Sequence, residues 1–266
     1  MTVRQKEQSG KVGALLRGDE YLRQRCYPKP GDSLYLHLAD LLQALVAFGT
    51  QAPIAILDYG CGGSPYRSLF PNATYHRADH VDGVDLDFRT DGNGLLPEVG
   101  SRAYDMVLST QVLEHVSSPR AYLDEAFRVL KPGGVLLLST HGVYPDHGCP
   151  CDFWRWTADG LKLELGRSGF LVQKLHRLTC GPRAVMFWVG QLVRTSEVPS
   201  GSFQRLTVKV LRKLYGWQRP RIDRFIDRRS AAYSVMTQPA EDSVNFYIGL
   251  IALAEKPLEK VPGRAT

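Results

Sequence analysis

The chain has 266 residues, of which 44% are hydrophobic and 23% charged, and this ordinary composition excludes disorder, collagen-like repeats and coiled coils. The formal net charge of +6 indicates an acidic partner if the charge is concentrated in one region. The polar start and the odd number of cysteines, five, favour a reduced cytoplasmic protein without a disulfide framework. The apolar stretch 184–193 is too short to cross a bilayer, which takes about 20 residues.

Apolar patterns predict strands that alternate with helices. An apolar face of helical period runs through residues 34–48, and further helices begin at Pro119 and after the capping residue Thr157. Strands are predicted at 54–57, in the segment ATYHRAD that ends at Asp79, and at 104–109, 135–140, 170–178 and 246–255. Lys131-Pro-Gly-Gly134 is expected to break the chain between a helix and a strand. This order indicates an α/β fold with a doubly wound, mostly parallel sheet.

We expect three parts: an N-terminal helical segment (1–50), a ligand-binding domain (51–178 and 243–258) and a mainly helical insertion before the last strand (179–242). The insertion is too long for a simple connection. Its segment 204–230 has nine Lys and Arg and two acids, a net +7 that leaves −1 for all other residues. Phe203, Leu206, Val210, Leu214 and Trp217 share one helical face there. The segment is either a solvated face of a packed lid or a docking surface for an anionic membrane or a phosphate-bearing substrate.

A glycine turn follows the first strand. Asp58 precedes Gly60-Cys61-Gly62-Gly63-Ser64-Pro65, in which Gly60 permits a tight bend and Gly62 lets a ligand approach the backbone. A dinucleotide fingerprint would need glycine at position 65, where this chain has proline. An acid directly before Gly-x-Gly suits a ligand that carries both an ammonium and a carboxylate group, such as S-adenosylmethionine.

Two further acids fit the same ligand. Asp79, 21 residues after Asp58, ends the second strand, where an acid can hold ribose hydroxyls. Asp91, followed by Gly92, lies in the next loop and can accept a hydrogen bond from an adenine amino group. Each acid alone is more often a turn or cap residue. Their joint spacing favours a nucleoside ligand.

Three motifs in this order resemble the class I S-adenosylmethionine-dependent methyltransferases: ILDYGCGGSPYR, YDMVLSTQVLEHV and RVLKPGG. The resemblance covers residues 54–178 and the final strand, and it departs from the family at Ser64, where a third glycine is usual. It implies a Rossmann-like sheet of seven strands and S-adenosylmethionine as cofactor. It also assigns the methionine end to Asp58, Gly60, Cys61 and Gly62, the ribose to Asp79, the adenine to Asp91, and the sulfonium side to Gln111.

The loop after the fifth strand, residues 141–157, lies where doubly wound sheets form their sites. Its sequence HGVYPDHGCPCDFWRWT resembles a subgroup of these methyltransferases with an H-x-x-P-x-D-[FY]-[WF]-R-[WF]-T loop, which is often associated with sugar modification. The matching residues are His147, Pro150, Asp152, Phe153, Trp154, Arg155, Trp156 and Thr157.

Methyl transfer to a hydroxyl needs an aligned acceptor and a base that removes a proton. His147 is the first choice and His141 the second, because imidazole titrates near neutral pH; the alternative is a histidine that only orders the loop. Asp152 would orient His147 or make a structural contact. Arg155 would bind a phosphate or carboxylate or form an ion pair. Trp154 would stack on a sugar or bury its ring, as would Trp156.

No metal is expected. Cys149 and Cys151 have poor spacing for zinc, and Glu114-His115 resembles the Glu-x-x-Glu-His pattern of metal-holding methyltransferases except that Gln111 replaces its first acid.

The sequence favours O-methylation of a sugar hydroxyl on a glycan, glycolipid or glycosylated metabolite by a cytoplasmic protein, with or without peripheral contact to the inner membrane face. A nucleic-acid (RNA) methyltransferase that uses the basic segment is the alternative. Ser109-Thr110-Gln111 lacks the Asn/Asp-Pro-Pro-aromatic clamp of enzymes that methylate bases, so nucleic acid is the less favoured partner. A non-catalytic binding protein that kept the fold is the other alternative.

Overall fold

A computed structural model describes residues 14–16, 18–82, 84–91, 93–148, 151–195, 202–237 and 245–258, with the backbone alone for 202–205. Gly92, Cys149 and Pro150 of the predicted loops lie outside the described residues, and so does the side chain of Phe203.

The core of the molecule is one mixed sheet, in the order β3-β2-β1-β4-β5-β8-β6-β7. The first five of these strands are parallel, and β8 runs antiparallel to both of its neighbours, β5 and β6. The strands are β1 (Ala55–Tyr59), β2 (Thr74–Asp79), β3 (Phe88–Arg89), β4 (Tyr104–Thr110), β5 (Leu130–His141), β6 (Leu171–Cys180), β7 (Val235–Thr237) and β8 (Tyr247–Glu255). The predicted doubly wound sheet is confirmed, and the described residues contain eight strands rather than seven. The two strands without a predicted segment, β3 and β7, have two and three residues, too few for an alternating apolar pattern.

The strand order reverses at β1, which pairs with β2 on one side and β4 on the other. In doubly wound sheets the ligand site lies at the carboxyl ends of the strands beside such a reversal. The chain segments that follow β1, β2 and β4 are therefore placed at one crevice.

Helices cover both faces of the sheet. They are α1 (Asp19–Cys26), α2 (Tyr35–Val46), α3 (Pro119–Val129), α4 (Ala158–Arg167), α5 (Gly181–Thr195) and α6 (Ser202–Arg229), with 3₁₀ turns at Arg67–Leu69 and Ala231–Tyr233. On one face, Leu123 of α3 and Leu161 of α4 join a buried cluster, and on the other Leu41 and Leu45 of α2 do so. The predicted cap of α4 is confirmed, because the backbone N–H of Gly160 donates to Thr157 Oγ1 at 3.0 Å. Among the described helices, none combines the length and the apolar character needed to span a membrane.

The Lys131–Gly134 segment does end α3, but it lies inside β5 rather than before it. Tyr104 of β4 pairs with Leu130 and Met106 with Val135, so the segment is accommodated at a shift in register. Gly133 has φ +77°, a conformation that glycine adopts without strain. The expectation that the strand begins at residue 135 was wrong because a β-bulge tolerates proline and glycine that a regular ladder does not.

The insertion is helical, as predicted, and it packs on the α2 side of the sheet. Phe187 of α5 and Ile226 of α6 join a buried cluster with Leu36 of α2. Within it, Arg183 Nη2 lies 2.7 Å from Asp40 Oδ1 of α2 and 2.6 Å from Asp227 Oδ1 of α6. A buried ion pair with several hydrogen bonds tolerates little displacement, so α2, α5 and α6 are held in one arrangement.

Candidate active site

The glycine turn after β1 adopts the left-handed conformations that its sequence predicts. Gly60, Gly62 and Ser64 have φ values of +76°, +51° and +51°. At position 60 there is a second reason for glycine, since a Cβ atom would lie 2.5 Å from Cγ2 of Val112. Ser64 adopts the left-handed conformation at the position where the family usually has a glycine, so the turn is kept.

Two buried acids border this turn. The Asp58 carboxylate accepts a hydrogen bond from the Tyr75 hydroxyl at 2.7 Å, and burial raises the pKa of Asp58 to about 7. Asp79 ends β2, and its Oδ2 accepts a hydrogen bond from the backbone N–H of Gly62 at 2.8 Å. Burial opposes ionisation of Asp79, but hydrogen bonds from His80 and Gly62 outweigh it and lower the pKa. Asp79 therefore fastens the glycine turn to the neighbouring strand.

The residues around Asp58 fit S-adenosylmethionine. A buried carboxyl that is held close to neutrality gains strongly from a cation beside it, and the methionine end of this cofactor carries an ammonium group. Cys61, also assigned to this end, is buried. Leu16 was not predicted as part of the site; its Cδ1 atom is 3.4 Å from where a Cβ on Gly62 would be. The segment before α1 thus packs against the glycine turn.

The other two predicted cofactor residues have different surroundings. Asp91 is exposed, and its Oδ1 accepts hydrogen bonds from the backbone N–H groups of Asn93 and Leu95, both at 2.8 Å, as in an Asx turn. Gln111 follows β4 with φ +56°, and its Nε2 lies 2.7 Å from Nε2 of His37. Gln111 therefore connects the end of β4 to α2.

Four histidines meet beside Gln111, and we call them the histidine cluster: His37 of α2, His115 after β4, His141 at the end of β5, and His147 in the following loop. Ring centroids are 5.5 Å apart for His37 and His141, 5.0 Å for His141 and His147, and 4.8 Å for His115 and His147. Tyr144 stacks on His141 at 3.8 Å. His37 was missed because it lies in the predicted helix 34–48 with no motif around it, and its contact with the loop arises only in the fold.

His147 has the surroundings of a general base. Its Nδ1 lies 3.2 Å from Asp152 Oδ2 and 3.3 Å from the Pro145 carbonyl oxygen, and its side chain is 36% exposed. Burial lowers the pKa of His147, which the Asp152 carboxylate partly offsets, so the ring is neutral at pH 7. Arg155 donates to both oxygens of Asp152 at 2.6 and 2.5 Å. Burial opposes ionisation of Asp152, but the bonds from Arg155 and the His147 N–H lower its pKa to about 2.

His141, the second candidate base, is 2% exposed, and burial lowers its pKa well below 6.5. Its Nε2 is 3.0 Å from Oε1 of Glu114, while Oε2 of that acid accepts a hydrogen bond from Thr140 at 2.8 Å. Burial raises the pKa of Glu114 to about 7. His141 and Glu114 thus lie on the buried side of the histidine cluster.

One group of side chains here could hold a metal ion. Ligand atoms of Glu114, His115 and His147 all lie within 4.8 Å of one another. His115 also lies with Nδ1 2.6 Å from the carbonyl oxygen of Cys151, whose side chain is exposed. The group comes from the Glu114-His115 pair and not from the cysteines of the loop.

The two tryptophans of the loop have different roles. Trp154 donates through Nε1 to the Val116 carbonyl at 2.8 Å, and it is 40% exposed beside Phe153, which is 51% exposed. Trp156 is half-buried against the main hydrophobic cluster. Trp154 therefore presents an anchored aromatic surface, while Trp156 packs.

Binding of S-adenosylhomocysteine, which shares the amino-acid end of the cofactor, is expected to strengthen about tenfold from pH 5.5 to 7. The raised pKa of Asp58, about 7, means that the carboxyl loses its proton over this range, and the ionised form attracts the ligand ammonium. The ammonium itself stays protonated, since α-amino groups titrate near 7.7. Calorimetric titration measures the effect. Asp58→Asn should bind the ligand weakly and with no such pH dependence. If this variant showed the same tenfold change between pH 5.5 and 7, the assignment of Asp58 to the ligand ammonium would be contradicted.

Comparisons with known proteins agree with this geometry. A family model described as a methyltransferase domain matches residues 33–171, more than half of the chain. A ubiquinone biosynthesis O-methyltransferase from Ruegeria pomeroyi is 34% identical, over 35% of this chain and 44% of that protein. One of the same name from Dinoroseobacter shibae is 36% identical, over 33% of this chain and 41% of that protein. The chain thus matches less than half the length of these curated relatives.

Solved structures share the fold. A [4+2]-cyclase, SpnF, aligns with a TM-score of 0.55 and 19% identity, over 96% of this chain and 94% of its own. Phosphoethanolamine N-methyltransferase 2 of Haemonchus contortus, in complex with S-adenosylmethionine, aligns with a TM-score of 0.51 and 15% identity, over 92% and 56%. At these identities the likeness shows the fold alone. With the family match over residues 33–171, the glycine turn and the sheet order, the chain belongs to the class I S-adenosylmethionine-dependent methyltransferases.

Proposed function

We propose that this methyltransferase transfers a methyl group to the oxygen of a sugar hydroxyl, on a glycan, glycolipid or glycosylated metabolite, with His147 as general base. The observation that carries the proposal is the His147–Asp152–Arg155 arrangement: an aspartate held by a guanidinium at 2.5 Å lies 3.2 Å from a half-exposed, neutral imidazole.

The roles of the side chains follow from their contacts. Both acceptors near Nδ1 of His147, the Asp152 carboxylate and the Pro145 carbonyl, favour the tautomer with its proton on Nδ1. Nε2 is then the basic nitrogen and takes the proton of the acceptor hydroxyl as the oxygen attacks. Asp152 stabilises the imidazolium that results, and Arg155 keeps Asp152 ionised and in place. Bound S-adenosylmethionine supplies the activated methyl group, and S-adenosylhomocysteine leaves.

We propose that Asp58, Gly60, Cys61 and Gly62 hold the methionine end of the cofactor, Asp79 the ribose and Asp91 the adenine, with Gln111 on the sulfonium side. The buried acids next to the glycine turn support the first two assignments. Oδ2 of Asp79 accepts the Gly62 N–H, and Oδ1 accepts the backbone N–H groups of His80 and Val81, so the second lone pair of Oδ2 is the one available to a ribose.

The acceptor class rests on the aromatic surface of the loop. Trp154, anchored through its indole N–H, can stack on the apolar face of a sugar ring. A second candidate, a phenol hydroxyl, is favoured by the name of the curated relatives, ubiquinone biosynthesis O-methyltransferase. Transfer to an oxygen is common to both. We also propose that the basic insertion brings the site to an anionic membrane surface.

The test is a transfer assay with methyl-labelled S-adenosylmethionine and three acceptor panels: glycans and glycolipids, catechol-type phenols, and RNA. We expect label in the glycan and glycolipid panel, and none there when His147→Ala replaces the wild-type protein. Label found only in the phenol panel would favour the second candidate acceptor, a phenol hydroxyl. Transfer to RNA, or binding of cofactor without transfer to any panel, would contradict it in favour of an RNA methyltransferase or a non-catalytic binding protein.

A further inference from the structure

The outer face of the insertion carries positive charge that no acid of the described residues neutralises. Four arginines of α6 are exposed: Arg221, Arg224, Arg228 and Arg229. Within the part of the chain that the structure describes, none of the four forms an ion pair. They are spaced so that three of them, 221, 224 and 228, lie on one side of the helix.

The acids of the same helix point the other way. Asp223 is buried and accepts the backbone N–H of Gly31 at 2.8 Å, and Arg219 Nε lies 3.3 Å from it. Asp227 accepts the Tyr35 hydroxyl at 2.6 Å and pairs with Arg183. Both acids of α6 thus face the body of the protein, where Asp223 pairs with Arg219 of the same helix and Asp227 with Arg183. The acids of the helix therefore lie on its inner face and the four arginines on its outer face, which is strongly positive.

Two adjoining grooves lie at this face. The first, of about 550 Å³, is lined by the four arginines and Phe225. The second, of about 480 Å³, is lined by Pro182, Met186, Ile222, Phe225, Ile226 and Ser230, with Arg221 and Arg229 at both grooves. The arginines of the first groove can bind a phosphate, and the apolar lining of the second can hold an alkyl chain. The pair fits an amphiphile that has an anionic head and an apolar tail.

The surface next to the grooves is apolar as well. Leu206, Val210, Leu214 and Trp217 recur at helical spacing on α6 and are each about half-exposed or more. Val185, Val189 and Leu192 of the neighbouring α5 are also exposed. Nucleic acid would use the arginines but not this apolar surface, whereas the interfacial region of a bilayer matches both.

We infer that the arginine groove and its apolar neighbour form a binding site for the phosphate head and chain of an anionic lipid in a membrane, with α6 lying on the membrane surface. The lipid site is close to the candidate active site: Met186 lines the apolar groove, and the ring of the adjacent Phe187 is 5.6 Å from that of Tyr144, which stacks on the histidine cluster. A lipid-borne acceptor would therefore be presented one helix away from His147. The lipid site specifies the membrane contact proposed above, and the presentation of an acceptor rests on the proposed methyl transfer.

Vesicle flotation tests the site without methyl transfer. The full chain is mixed with phosphatidylcholine vesicles that contain either no phosphatidylglycerol or about a third of it. We expect binding only to the anionic vesicles, and at least about 25-fold weaker binding by Arg224→Glu/Arg228→Glu, because each arginine near such a surface contributes about fivefold. Lys162→Glu/Arg167→Glu, a charge-matched change on α4 at the opposite face of the sheet, should bind like the wild type.

Two measurements make the result specific. Phe225→Ser keeps every charge and should weaken vesicle binding several-fold if the apolar groove takes a chain. Thermal unfolding should show that all variants are folded. Equal binding to both vesicle types, full binding by the double arginine variant, or binding to RNA but not to vesicles would overturn the inference. Cofactor binding by calorimetry is independent of these outcomes, so failure of the lipid site and failure of the methyltransferase site can be told apart.

Discussion

Replacement of His147 by alanine is expected to lower turnover at least about a hundredfold while S-adenosylhomocysteine still binds, because a positioned general base contributes roughly 10² to 10⁴ in rate. The side chain is half-exposed and its ring contacts are with His115, His141 and Tyr144, so its loss leaves the glycine turn intact. Steady-state kinetics with the acceptor found by the transfer assay measure turnover, and calorimetry measures ligand binding. Turnover near that of the wild type would remove His147 from the role of base.

Three controls separate a base from other roles. His176→Ala makes the same change on β6, outside the histidine cluster, and should leave turnover unchanged. Asp152→Asn should lose less activity than His147→Ala, because the Pro145 carbonyl still accepts from Nδ1. Prolonged chelation should not reduce activity if His147 acts as a base. If chelation abolishes activity and an added divalent ion restores it, then the Glu114–His115–His147 group binds a metal and the mechanism above is wrong.

Replacement of Gly60 by alanine is expected to destabilise the protein by about 3 kcal/mol and to abolish cofactor binding. Glycine at φ +76° costs nothing, whereas alanine in the left-handed region costs roughly 1–2 kcal/mol. A further 1–3 kcal/mol is typical of overpacking, and here the new Cβ would lie 2.5 Å from Val112 Cγ2. Denaturant unfolding gives the free energy, and calorimetry with S-adenosylhomocysteine gives the binding.

Gly100→Ala is the matched control, since a Cβ atom there would meet nothing within 4 Å. The double variant Gly60→Ala/Val112→Ala should recover part of the lost stability, because it removes the overlap but not the backbone strain. Equal stability of Gly60→Ala and the wild type would show that the turn has another conformation.

The fold was predictable because its signals are local. The apolar strands, the cap at Thr157 and the glycine turn each depend on a few neighbouring residues, and the structure has all of them. The exceptions are elements whose length gives no period. β3 has two residues and β7 three, and the Lys131–Gly134 segment lies in β5 at a bulge although its proline and glycines are typical of a break.

The site was predictable only in part. The loop motif singled out His147, Asp152 and Arg155 as candidates, and their contacts with one another join residues three and five positions apart. His37 is 104 residues from His141, and Leu16 is 46 residues from Gly62, so neither contact leaves a pattern in the chain. The same holds for the charge: the sequence located the net +7 segment, but only the fold shows that its two aspartates face inward and four of its arginines outward.

The central claim is that the glycine turn after β1, with Asp58 beside it, binds the cofactor of a methyltransferase. Calorimetric titration of the full chain with S-adenosylhomocysteine at pH 7, run in parallel on Gly60→Ala and Gly100→Ala, tests it most directly. We predict one site per chain with a dissociation constant well below millimolar in the wild type and in Gly100→Ala, and no binding in Gly60→Ala. No heat of binding in the wild type at millimolar ligand, or undiminished binding in Gly60→Ala, would contradict the account.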